Sequence, residues 1–200
     1  MTLAKTFGFP VLAVALAGCV SVLPEPVIPD SLYRFSSADT FSNVSPVRLP
    51  ASVFVPQPEG ATLLLGKNII FEDEDGGLSL LSSAQWSSSA GSMIQYALLD
   101  RLSAGTASDG ALALGDWVSA RADYNLQWHV RDLVVREDDV VASFEVMLIN
   151  DQTGEVTGKF EVTRRDTYVG KSGEAGVRKL IEVVQGAIDE IASKLPDYMS

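Results

Sequence analysis

From Arg121 to Arg131 the chain alternates without a miss. Ala122, Tyr124, Leu126, Trp128 and Val130 fall on one side, and Arg121, Asp123, Asn125, Gln127, His129 and Arg131 on the other. A period of two matches the pleat of a strand and no helix, and it demands one buried face and one wet face. Leu133 and Val135 are out of phase with this run, so a bulge is expected near Arg131-Asp132. Glu137-Asp138-Asp139 then turns the chain, and Ala142, Phe144, Val146 and Leu148 form a second buried row. Asn150 to Gly154 turns it again into a third row of Val156, Phe160 and Val162. Gly158, between them, reads as a bulge or as a place of close backbone approach. The three strands make an antiparallel meander.

Two segments have helical spacing instead. Ala90, Ile94, Leu98 and Leu102 recur every four residues, with Met93 and Ala97 beside them, which predicts a helix over about 86–103. Ser87-Ser88-Ser89 offers N-caps and Gly105 a stop. Over about 173–195, Val177, Leu180, Ile181, Val184, Ile188, Ile191 and Leu195 make one apolar stripe, and Pro196 ends it. Upstream, Leu32 to Phe35 and Ala51 to Val55 are short strand candidates, the second confined by Pro50 and Pro56. Asn68 to Phe71 and Leu78 to Leu81 flank an acidic glycine turn and read as a hairpin. Residues 36–47 and 103–116 read as loops. The fold class expected is α+β: an antiparallel β-sheet with two long α-helices packed on one face.

Composition narrows the chemistry. Net charge is −11 over 200 residues, and about −12 without residues 1–18, which hold Lys5 and no acid. Such a surface is repelled by nucleic-acid phosphates and by anionic head groups. His129 is the only histidine and lies on the wet side of its strand, without a partner singled out for a catalytic triad. No nucleophile elbow and no phosphate-cradling glycine loop occurs. The acidic run Glu72 to Asp75 lacks the spaced ligands of a calcium loop and reads as a solvated turn. No catalytic residue, cofactor-binding residue or metal ligand is assigned. Trp86 and Trp128 read as core, whereas Trp117, beside a glycine-containing loop, is a candidate for contact with a partner or lipid.

The start of the chain carries a different signal. Lys5, the apolar run Phe7 to Leu16 and small residues after it describe a secretory signal peptide too short to span a bilayer. Leu16-Ala17-Gly18-Cys19 resembles a bacterial lipobox, and Cys19 is the only cysteine. That resemblance implies cleavage before Cys19, a lipid thioether on it and an acylated N-terminus. Residues 1–18 are then the signal peptide, 19–30, with Pro24, Pro26 and Pro29, a lipidated tether, and 31–200 the folded domain. Neither Val20 nor Ser21 is the Asp that retains lipoproteins at the inner membrane of enteric bacteria. Where that sorting rule holds, the outer membrane is favoured, with the domain on its periplasmic face.

The order of elements also resembles a family. Asn68-Ile69-Ile70-Phe71, a hairpin return, Ala84-Gln85-Trp86 and the run Met93 to Leu102 are similar to the ABC-type transport auxiliary lipoproteins, the PqiC/YmbA-like group that accompanies MCE lipid transporters. Leu32 to Phe35, the strand Tyr124 to Arg131, the meander and the last helix follow in the same order. The resemblance implies a non-enzymatic lipoprotein without a cofactor. Its implied partners are an MCE-family periplasmic protein and, through it, an ABC permease and ATPase. It leaves self-association open. A structural or regulatory lipoprotein bound to a cell-wall enzyme or peptidoglycan is the competing reading, and a lipoprotein hydrolase a third.

Overall fold

The computed structural model describes residues 29–36, 40–41, 43–104, 111–170 and 173–199. In chain order the elements are β1 (Ser31–Tyr33), β2 (Val53–Phe54), β3 (Glu59–Gly60), α1 (Thr62–Leu65), β4 (Asn68–Glu72), β5 (Leu78–Trp86), α2 (Ala90–Ser103), β6 (Ala113–Leu114), β7 (Tyr124–Val135), β8 (Asp139–Asn150), β9 (Val156–Thr167) and α3 (Gly173–Lys194). A 3-10 turn, Leu195–Tyr198, follows α3. The lipobox residues Leu16, Ala17, Gly18 and Cys19, and most of the tether, lie outside the described residues.

β7 is the axis of a nine-stranded sheet. Along one edge it pairs with β8 over its whole length, antiparallel, from Tyr124↔Asn150 to Val135↔Val140. β8 pairs in turn with β9, also antiparallel. The meander stands as expected, and the register shifts between Val130 and Asp132, where the phase change in the sequence placed a bulge. Val156 departs from the expectation: it is half exposed, so the third buried row begins at Gly158.

The other edge of β7 corrects the expected all-antiparallel sheet. Three short strands take it in succession, all parallel to it: β2 beside Tyr124-Asn125, β3 beside His129-Val130 and β4 beside Val134-Val135. Pro56 and Pro58 interrupt the strand between β2 and β3, because proline brings no N–H to a ladder. α1 fills the step from β3 to β4 without reversing the chain's direction. The chain therefore runs the same way three times. β5 returns antiparallel to β4, as the hairpin reading requires, and β1 is parallel to the end of β5. β6, within a stretch expected to be loop, pairs parallel with β2.

α2 begins at Ala90 rather than near residue 86, since Trp86 is the last residue of β5. Ser89 is its N-cap, accepting from the Ser92 N–H at 3.3 Å. The residue expected to stop it, Gly105, lies outside the described residues. α3 lies against β8 and β9, and α2 packs beside α3. Leu126, Trp128, Val130, Phe144, Val146, Leu148 and Val162 face them and are buried, together with Val177, Leu180, Val184, Ile188 and Ile191 of α3. Each such side chain contributes about 1.5–3 kcal/mol on leaving water. Trp86 is core as expected, 4.4 Å from Phe35 between ring centroids, and Trp128 stacks on Phe144.

One cation joins the two helices from inside. Arg101 of α2 is almost fully buried, and its fork donates to Asp189 of α3 at 2.6 Å and to the Ser45 carbonyl at 2.9 Å. The segment 43–49, whose own Val47 and Leu49 are buried, is thereby tied to both helices.

Candidate functional site

The wet face of β7 is not flat. Asn125, Gln127, His129 and Arg131 stand in a row along it, and Met147 and Glu145 of β8 face Gln127 and His129 across the ladder. The segment Phe54 to Glu59 rises beside this row and closes one side of a groove of about 450 Å³. The two prolines in that segment hold it away from the ladder. Two buried-side donors fasten it: Trp128 Nε1 to the Pro56 carbonyl at 2.9 Å, and Gln95 Nε2 to the Val55 carbonyl at 2.9 Å. At its start, Asp123 accepts from the Ser52 N–H at 2.9 Å and from its hydroxyl at 2.6 Å. These hydrogen bonds hold the Asp123 carboxyl below its usual range.

Charge in the groove is internally balanced. Glu145 is bonded by Lys159 Nζ of β9 at 2.6 Å and by Arg131 Nη2 of β7, a ladder of cation, carboxylate and cation across three strands. Hydrogen bonds from Lys159 and then Arg131 draw its carboxyl down to about 2. His129 sits in register between Glu59 of β3 and Glu145 of β8. None of the residues lining the groove is a serine, threonine or cysteine, and the Lys159 amine beside it is engaged by Glu145. Among the described residues no cluster of His, Cys, Asp and Glu could hold a metal ion.

The family of ABC-type transport auxiliary lipoprotein components matches residues 33–192. The chain belongs to this family. Solved structures agree at the level of fold. Protein XCC0632 from Xanthomonas campestris, of family DUF330, is similar over 78% of this chain and 89% of its own, with a TM-score of 0.66 and 16% identity. An uncharacterized protein is similar over 86% and 100%, with a TM-score of 0.59 and 14% identity. The hypothetical protein CT253 from Chlamydia trachomatis is similar over 74% and 97%, with a TM-score of 0.51 and 11% identity. No curated protein matches the chain in sequence.

In this auxiliary lipoprotein the groove was only partly legible beforehand. The alternation placed Asn125, Gln127, His129 and Arg131 on one wet face. Nothing local announced that Phe54 to Glu59 would stand beside them, although Pro56 marked the end of the strand candidate Ala51 to Val55. Trp117, the candidate contact residue, lies outside the groove, with 60% of its surface exposed. Among the described residues no helix of the lipoprotein is long and apolar enough to cross a membrane.

Proposed function

We propose that this auxiliary lipoprotein is held at the outer membrane by acyl chains on Cys19 and that its domain, residues 31–200, docks an MCE-family periplasmic protein. That partner links it to an ABC permease and ATPase moving lipids or similar apolar molecules. The observation that carries the reading is the family match over residues 33–192. The Leu16-Ala17-Gly18-Cys19 motif supports the anchor. The groove beside Pro56, walled by Phe54 to Glu59 and lined by amide, imidazole and apolar side chains, supports a binding role.

A mild in-cell crosslink followed by purification of the anchored protein tests this, with Cys19→Ser run in parallel and partners identified by mass spectrometry. Recovery of an MCE protein with permease and ATPase, lost or reduced in the Cys19→Ser sample, is the expected result. Gln127→Arg, which fills the groove floor with an unbalanced charge, lowers that recovery. Recovery of cell-wall synthases with no transporter subunit overturns the reading in favour of a scaffold.

A further inference from the structure

Trp117 and Tyr96, the residue after Gln95 on α2, form an aromatic pair outside the groove. Their ring centroids are 5.4 Å apart at 30°, and they are 60% and 49% exposed. The Trp117 ring is seated rather than loose. It lies so close over Gly115 that a Cβ there would fall 2.6 Å from Cζ3 and Cη2 and 3.0 Å from Leu99 Cδ1, so a larger residue would displace the ring. The turn from Gly115 to Val118 closes with a 3.0 Å hydrogen bond. Asp116, next in sequence, accepts from Gln95 Nε2 at 2.8 Å, which fixes the loop to the helix that carries Tyr96. Asp100 lies one turn beyond Tyr96 on the same face of α2.

Both carboxylates are exposed, and among the described residues neither forms an ion pair. The cation–π contacts found there use Tyr33 and Phe160, so neither the Tyr96 nor the Trp117 ring is covered by a cation of the described residues. Asp100 accepts from Ser36 Oγ at 3.0 Å and Asp116 from Gln95 Nε2, but neither has a counter-charge, so a purely apolar partner would bury two carboxylates held by one neutral donor each, at a cost of several kcal/mol. An anionic lipid surface would repel them. An arginine meets both demands at once, since its planar guanidinium stacks on an aromatic face and bonds a carboxylate edge-on. We propose that Tyr96, Trp117, Asp100 and Asp116 form a docking site for an arginine-bearing segment of a partner protein. The proposal stands whether or not the partner belongs to a transport system.

The test uses the full chain and a short acetylated peptide with two arginines, with citrulline and lysine versions as controls. Trp86 and Trp128 are buried, so a change in tryptophan emission on titration reads Trp117. The arginine peptide gives a saturable change, at least fivefold tighter than the lysine peptide, and the uncharged citrulline peptide gives none. The double variant Asp100→Asn/Asp116→Asn, which keeps the reporter and leaves a side-chain oxygen at each position to accept from Ser36 and Gln95, binds at least tenfold more weakly with unaltered circular dichroism. Equal responses to arginine and citrulline, no response to arginine, or undiminished binding by the double variant would each overturn the site. An emission shift with zwitterionic phospholipid vesicles but not with the peptide would reassign the pair to membrane contact.

Discussion

Gly158 shows what a single missing carbon does here. A Cβ at that position would stand 2.5 Å from Cγ and Cδ1 of Tyr198, whose ring stacks on Phe160 at 5.3 Å. The ladder also slips between Leu148 and Ile149, opposite this glycine, so it is at once a close approach and beside an irregularity. Gly158→Ala must push the 3-10 turn off the sheet, and a loss of about 1–3 kcal/mol in denaturant unfolding is expected. Glu145 makes a pH-dependent contribution. Its carboxyl titrates at about 2 when folded, against about 4.3 in an unfolded chain. A folded-state value below the unfolded one adds stability above the unfolded pKa, and that stability fades as pH falls through the folded one. Glu145→Gln should therefore unfold more easily than the parent at pH 7, with the gap closing between about pH 4 and 2. A gap that stayed constant over that window would show that the ladder through Arg131 and Lys159 does not govern it.

At the scale of elements, the decisive feature is the edge of β7 taken by β2, β3 and β4. Between β2 and β3 the segment makes one backbone bond to β6, from the Val55 N–H to the Leu114 carbonyl at 2.8 Å, and otherwise hangs on the side chains of Gln95 and Trp128. Gln95 is buried, and Gln95→Leu leaves the Val55 carbonyl without that donor. A destabilisation of about 1–3 kcal/mol is expected, with the largest amide shift changes at residues 53–59 in a heteronuclear NMR spectrum. This edge also explains what could be read from the sequence. The meander, its bulge and the α3 stripe were legible because each is written locally, as a period of two or 3.6 and a turn between. The parallel pairings were not, because a two-residue strand such as Val53-Phe54 has no period, and its partner Tyr124-Asn125 lies some seventy residues away. The start of α2 was misjudged for a related reason. Trp86 and the serines after it fit a helical entry, but pairing of β5 with β1 draws Trp86 into the sheet. Half of the groove was visible as a wet face; its wall depended on the non-local edge.

For the whole molecule, long pairings and short ones share a single sheet unequally. β7, β8 and β9 run twelve residues each under α3, whereas β2, β3 and β6 have two. Local opening costs least where few buried contacts are broken. Amides of β7, β8 and the buried face of α3 should exchange slowest with deuterium, near the limit set by global unfolding, and those of β1, β2 and β6 several orders of magnitude faster. Uniform protection across all nine strands would contradict this division.

The placement of β1 has a mechanical consequence. Tyr33 accepts from the Ser87 N–H at 2.7 Å, Phe35 is wedged against Trp86, the Phe35 carbonyl takes Gln185 of α3 at 2.6 Å, and Ser36 reaches Asp100 of α2 at 3.0 Å. Strand, sheet and both long helices thus grip the same six residues. A tether arriving at Ser31 and pulled along the strand would load the β1–β5 bonds in shear, so that they share the force and fail together. A pull across the strand would open them one at a time. A domain strained between a membrane behind it and a partner in front would therefore resist best when the tension runs in line with β1.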